Sequence, residues 1–308
     1  MTTPKLHRLT VEVTNRGRAD AAVAQAAGIS RTKAVEWIQR GLVSVNQELA
    51  VKSTKLRAGD SLTIIVPSDP DPLEVKAELV QDLIIVDDEE HYVVIDKPVG
   101  VAAHPSQGWR GPTVVGGLAA LGIDVATSGP PERQGIVQRL DVGTSGLMVV
   151  AKTEIAYSRL KQAFHDRTPT RNYHAMLEGL PDPLSGTIDA PIDRMPGHEW
   201  RFGVVEGGKQ AITDYQTLES FGTATLVDVR LRTGRTHQIR VHFSALNHPL
   251  VGDLTYGADA GLAAELGLTR QWLHAVGLGF NHPVTDQFVF YATDYPMDLQ
   301  YALDRLRE

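Results

Sequence analysis

The chain has 308 residues, 42% apolar and 22% charged, the balance of a globular protein with a sizeable core. It contains no cysteine, which excludes disulfides, thiolate metal sites and a thiol nucleophile. The formal charge of −7 is unevenly spread: residues 1–66 hold 10 Lys and Arg against 5 Asp and Glu, and the remainder holds 20 against 32.

In the basic head, alternation of Leu9, Val11 and Val13 predicts a strand within residues 5–15. An Ala-rich run from Arg18 to Ala27 favours a helix that Gly28 can end. Ser30 is the expected N-cap of a second helix over Arg31–Arg40, with Ala34, Val35 and Ile38 on one face and Gly41 as its stop. Short strands are expected at 42–45, near Val51 and at 62–66, with a turn at Asn46-Gln47. A basic head on an acidic body points to a nucleic-acid contact in the head; chance surface charge is the plain alternative. Three prolines in residues 67–72 predict an extended linker, assigned to 67–79, between a head of 1–66 and a body of 80–308.

The stretches Gly28–Ala34 and Gly41–Asn46 resemble the S4-type RNA-binding domain, a small α+β module. That resemblance implies that the second helix lies on an RNA groove, with Arg31, Lys33 and Arg40 on phosphates. The alternative is that these three form an ordinary solvated helix face.

The body opens with two expected strands, Leu83–Val86 and Tyr92–Asp96, around an acidic turn. Pro98 and Gly100 then turn the chain sharply, ahead of His104-Pro105. A short helix over Thr113–Leu121 and an exposed loop, Gly129–Arg133, lead to the densest stretch of the sequence. It runs Gly135-Ile-Val-Gln-Arg-Leu-Asp141, then Val142-Gly-Thr-Ser-Gly146, then an apolar run from Leu147 to Ala151. An Asp at the mouth of a glycine-rich turn between strands can be held rigidly and still face a cleft; simple capping of the turn is the other reading.

Thr153 is the expected cap of a helix over Glu154–His165, with Ile155, Leu160 and Phe164 inward. Strands follow at Arg171–Gly179, Ile188–Ile192, Gln210–Tyr215 and Ala224–Leu231. In the second dense stretch, Gly234-Arg-Thr-His-Gln-Ile-Arg240, Thr236 is the expected cap of a helix starting at His237. Such a helix places His237, Arg240, Val241 and Ser244 on one face. His237 and His242, five apart, share a helical face too poorly for a zinc pair. The glycine turn at 143–146 is not a serine-hydrolase elbow. The C-terminal stretch carries no motif.

The motifs Arg139-Leu-Asp141 and Thr144-Ser-Gly-Leu147 resemble the catalytic motif of the RluA/RluD-type pseudouridine synthases. Lys97–Pro105, the strand holding Tyr173, Gly234–Arg240, Asn247–Gly257 and Leu273-His-Ala275 are also similar to that family. Gln138 stands where the family usually has His. The resemblance implies an α+β body with a mixed, largely antiparallel sheet. It implies isomerisation of uridine to pseudouridine in RNA, with large-subunit ribosomal RNA as the expected substrate and transfer RNA as the alternative. It assigns Asp141 to start the chemistry, as nucleophile on the sugar or as base, with Arg240 paired to it and Tyr173 against the base. Arg139 fills the space that the flipped base vacates; His237 and Leu147 join it in binding substrate. No cofactor or metal is needed, since nothing is oxidised or hydrolysed. A non-catalytic RNA-binding factor is the reading from a different class, and a two-carboxylate glycosidase a remote third, since no motif ties a second acid to Asp141. No apolar run approaches the roughly 20 residues that span a bilayer, and a cytoplasmic monomer is expected.

Overall fold

A computed structural model of the chain describes residues 7–66, 73–195, 197 and 201–308. They fall into two compact units, divided after residue 72. The proline-rich stretch 67–72 lies outside the described residues.

The first unit runs β1 (His7–Glu12), β2 (Gly17–Arg18), α1 (Ala19–Ala27), α2 (Arg31–Gln39), β3 (Val43–Val45), β4 (Glu48–Leu49), β5 (Lys55–Leu56) and β6 (Ser61–Val66). Four strands form an antiparallel sheet in the order β1-β6-β3-β4, and β2 pairs with β5. Gly28 ends α1 at φ 65°, and Ser30 caps α2 by accepting from the Lys33 N–H at 3.2 Å. Trp37, rather than Val35, joins Ala34 and Ile38 in the buried face. With Val23, Val43, Leu62 and Ile64 they make a separate small core.

The second unit runs β7 (Ile84–Asp88), β8 (Tyr92–Lys97), α3 (Val114–Ala120), β9 (Ser145–Ala151), α4 (Glu154–Asp166), β10 (Thr170–Glu178), β11 (Ser185–Asp189), β12 (Ile192–Arg194), β13 (Phe202–Val204), β14 (Ile212–Ser220), β15 (Ala224–Leu231), α5 (Gln238–Ala245), α6 (Ala260–Glu265), β16 (Leu273–Asn281), β17 (Phe288–Ala292) and α7 (Met297–Arg307). Nine strands form one sheet in the order β11-β14-β15-β10-β16-β9-β8-β7, with β17 also on β16. Every pairing is antiparallel except β9 with β16. The unit is α+β, with a mixed, largely antiparallel sheet.

Strand β9 is buried at all seven positions. Its even residues, Met148 and Val150, join the core around Tyr173 and Ile239; its odd residues, Leu147 and Val149, join Tyr92, Tyr157 and Leu160. Burial on both faces explains why this strand reads as a continuous apolar run rather than an alternating one. Helix α4 packs through Ala156, Tyr157 and Leu160, whereas Ile155 is 48% exposed; the buried stripe is rotated from the expected one. Part of the segment expected as linker lies on this unit. The Glu78 N–H donates to the Gly116 carbonyl at 3.2 Å, and Val80 and Leu83 press on Gly117 of α3.

Candidate active site

Asp141 sits on the turn that feeds β9. The turn is tied on several sides. The Thr144 N–H donates to the Asp141 carbonyl at 3.0 Å, and the Gly100 N–H to the Val142 carbonyl at 2.8 Å. Arg270 donates through Nη1 to Ser145 Oγ at 3.0 Å and to the Gly143 carbonyl at 3.4 Å, while its Nε and Nη2 grip Asp298 at 2.7 and 2.9 Å. Gly146, at φ 114°, meets the β16 backbone so closely that a Cβ would lie 2.4 Å from the Ala275 oxygen. The glycine in this motif is therefore fixed by both backbone angle and space.

The partner stretch 232–240 is built around Gln238. Its side-chain amide donates to the Ile212 carbonyl and Thr213 Oγ1, at 3.0 and 2.9 Å. Its Oε1 accepts from Thr233 Oγ1 and the Arg235 N–H, at 2.8 and 3.0 Å. These bonds pin the loop to β14. Helix α5 then starts at Gln238, not at His237, and Thr236 is not its cap. His237 takes the cap position in the left-handed region, at φ 56°, and the Thr236 hydroxyl instead accepts a hydrogen bond from Arg139. The loop ahead of α5 thus joins the turn of Asp141.

Arg240, 7% exposed, projects from the first turn of α5. Its Nη1 donates to Asp141 Oδ2 at 3.3 Å. Its Nε and Nη2 donate to the two oxygens of Asp253 at 2.6 and 2.8 Å, and its guanidinium lies 4.8 Å from the centre of the Tyr256 ring. A bidentate pair on one edge and a ring against its face leave the guanidinium little freedom to turn. His237 bonds through Nδ1 to the Tyr256 hydroxyl at 2.8 Å, and its Nε2 stands 3.8 Å from Asp141 Oδ2. Burial pulls the His237 imidazole below its usual pKa, against the opposing pull of Asp141.

A cleft of about 680 Å³ is lined by Asp141, Arg139, Tyr173, His237 and Arg240, with Gln138 and Thr236 beside them. A second cavity of about 420 Å³ shares Arg139, Asp141, His237 and Arg240 and adds His104 and Gln271. Tyr173 reaches the cleft from β10; burial raises its phenol pKa, so it stays protonated at neutral pH. The Gln138 amide nitrogen is buried, with no partner among the described residues. Lys97 is fully buried, and its ammonium donates to the Pro98 and Val101 carbonyls at 2.9 and 2.8 Å. Burial lowers its pKa to about 7, with Asp141 opposing.

Leu147 does not join this group. It is 2% exposed and packs in the core beneath α4, because it is an odd residue of β9; its expected contact with substrate is corrected to a core role. Arg31, Lys33 and Arg40 lie at exposed positions on α2 and its C-terminus, in the other unit. Arg31 is paired with Asp20 at 2.9 Å, and Arg40 with Glu36 at 3.3 Å. Chief among the groups that sequence reasoning missed are Asp253, Tyr256, Gln238 and Lys97. The first two lie in the Asn247–Gly257 stretch, whose motif was visible, but nothing in its spacing linked Asp253 to an arginine thirteen residues earlier. Among the described residues no cluster of His, Asp and Glu is arranged to hold a metal, and no helix is long and apolar enough to cross a membrane.

Comparison with known proteins bears on the same residues. A family model described as RNA pseudouridylate synthase matches residues 91–245, the span that holds Asp141, Tyr173 and Arg240. A Mycobacterium tuberculosis protein, named as an uncharacterized RNA pseudouridine synthase, is 53% identical over 290 residues, which is 94% of each chain. The ribosomal large subunit pseudouridine synthase D of Nitrosomonas europaea is 38% identical over 283 residues, covering 90% of this chain and 80% of that one. Among solved structures, human RNA pseudouridylate synthase domain containing 4 matches with a TM-score of 0.58 and 26% identity, over 73% of this chain and 93% of that one. With that model matched across half its length, and relatives alike over nine tenths or more of it, the chain belongs to the RNA pseudouridylate synthase family.

Proposed function

We propose that this RNA pseudouridine synthase acts on large-subunit ribosomal RNA and that Asp141 starts the reaction. One observation carries the reading: a cleft carboxylate held by a guanidinium that is itself clamped from behind by Asp253. The ribosomal target rests on the relatives named as large-subunit synthases and on the basic charge of residues 1–66. Such a substrate fits a cytoplasmic protein. We take the working unit to be a single chain, which by itself brings Asp141, Tyr173 and Arg240 to one cleft.

The reaction breaks the bond from the ribose C1′ to N1 of uracil, turns the base, and joins C1′ to C5. N1 gains a proton and C5 loses one, so nothing is oxidised and no atom is gained. Asp141 attacks the sugar or removes one of its protons; both roles need a positioned, ionised carboxylate. Arg240 positions it by a charge-assisted bond. Tyr173 lies against the base, and its neutral phenol can take the C5 proton only by passing on its own. Arg139, at the exposed end of the turn, occupies the stack that the uridine leaves. Asp141→Asn keeps the size of the side chain and one acceptor oxygen, and removes its charge. In a tritium-release assay on RNA labelled at uridine C5, it lowers turnover by about a thousandfold or more while RNA binding is retained. Turnover within tenfold of the parent enzyme would overturn the assignment.

A further inference from the structure

Beyond Asp141 and Arg240, the cleft extends to the C-terminal half of α4 and the start of β10, where Lys161, Phe164, Arg167 and Arg171 line it. Of the 20 lysines and arginines in residues 67–308, seven line this one cleft. Its lining has a single carboxylate, Asp141, although that part of the chain carries 32 acids. The body is acidic, and its cleft is locally the reverse. A cleft lined by one sign of charge focuses its field on ligands of the other sign.

Arg171 is the informative residue. It lies two positions before Tyr173 on β10, so the two side chains leave the strand on the same face. Its guanidinium carbon is 6.0 Å from the centre of the Phe164 ring, and its Nη2 donates to the Leu231 carbonyl at 3.2 Å. Its Nε is buried without a partner, and among the described residues no carboxylate pairs with it. The two buried arginines around the site, Arg240 and Arg270, are each held bidentately by an aspartate, and half-buried Arg235 places its Nε on the Gln210 carbonyl. A buried cation without its counter-charge is unfavourable, and burial lowers its pKa from the ordinary value. An anionic ligand would supply both the missing charge and the missing acceptor.

We infer that Arg171, with Lys161 and Arg167 at the end of α4, forms a phosphodiester subsite that holds the RNA backbone beside the everted uridine. The inference rests on the RNA-modifying reading above and adds the place where the strand enters. A planar guanidinium next to an aromatic ring suits a phosphate flanked by its sugar. Lys161, exposed on α4, adds a mobile point charge at the rim. Arg167 occupies the left-handed C-cap of α4 at φ 63°, where the helix dipole also favours a cation.

The test is the salt dependence of binding to a short uridine-containing RNA hairpin. The variants are Arg171→Met, which keeps the apolar stem, and Lys161→Ala with Arg167→Asn, which leaves the core intact and suits the left-handed backbone. Each lost phosphate contact flattens the slope of log affinity against log salt by about 0.7 to 0.9. The Michaelis constant rises about fivefold or more, and kcat falls by a smaller factor. A purely structural role for Arg171 lowers the melting temperature and leaves that slope unchanged. The inference is overturned if both variants, folded by circular dichroism, keep the parent slope. If the parent enzyme binds the hairpin but forms no pseudouridine in any RNA, the substrate reading fails instead, and the slope comparison still decides the subsite.

Discussion

Asp253 makes Arg240 usable. A guanidinium facing Asp141 alone could swing across the cleft, but with Nε and Nη2 fixed on Asp253 only Nη1 remains to meet Asp141. Asp253 is 2% exposed, and Tyr256 covers the guanidinium face, so water cannot replace the carboxylate. Asp253→Asn therefore leaves a buried cation with one partner too few, which costs about 3 kcal/mol of stability. It also loosens Arg240, and kcat drops by about 10- to 100-fold with a much smaller change in the Michaelis constant. Stopped assays at saturating RNA measure the drop, and turnover within threefold of the parent enzyme would show that Asp253 is only a fold residue. The two residues joined here show what a sequence can and cannot reveal. Asp141 and Arg240 stand inside dense motifs, because each is surrounded by residues that hold its backbone. Asp253 sits in a looser stretch, and its partner is found only when α5 folds over it.

At the scale of elements, the site depends on how β8 ends and β9 begins. Lys97, the last residue of β8, ties the Pro98–Val101 turn by two carbonyls, and Gly100 of that turn holds the Val142 carbonyl beside Asp141. This lysine loses its proton near pH 7 when folded and near 10.5 when unfolded. Between those values the unfolded chain binds more protons, so raising the pH stabilises the fold. Below about pH 7 both states are protonated and the full penalty of the buried ammonium persists. Chemical denaturation from pH 6 to 10 thus shows the parent gaining on Lys97→Met by up to about 1.4 kcal/mol per pH unit above neutrality. A difference that is flat or falls with pH would mean that the buried lysine keeps its proton. The strands were legible where the apolar pattern alternates or is continuous, as in β10 and β9. The start of α5 was not, because Thr236 looks like a cap by residue type while its hydroxyl is taken by Arg139 from another element. Ile155 misled for a similar reason: several registers of α4 give an apolar stripe, and the sheet selects the one through Ala156, Tyr157 and Leu160.

For the whole molecule, the opposite charges of the two units bear on how a polyanion is bound. With 32 acids against 20 bases the body as a whole opposes a polyanion, its cleft excepted, and the basic head is where further attraction is expected. The division into a basic and an acidic part was plain in the residue counts, but which head cations are free was not. Asp20 is buried between Arg18 and Arg31, and the Arg18 guanidinium, with Arg31 adding to it, holds that carboxyl down to about 2. Arg31 is thus partly neutralised and orders the start of α2. Arg40 is paired with Glu36, an exposed contact worth little. Lys33 has no carboxylate partner among the described residues and lies 6.0 Å from the centre of the Trp37 ring. These differences rank the three. Lys33→Ala with Arg40→Ala weakens binding to a ribosomal RNA fragment and flattens its salt slope by about 0.7 to 0.9 per lost contact, while kcat at saturating RNA holds. Arg31→Ala does less to the slope and more to the melting temperature, because it also leaves Asp20 with one partner fewer. Binding isotherms at several salt concentrations separate the two outcomes, and a double variant with the parent's affinity and slope would reduce α2 to a solvated surface helix.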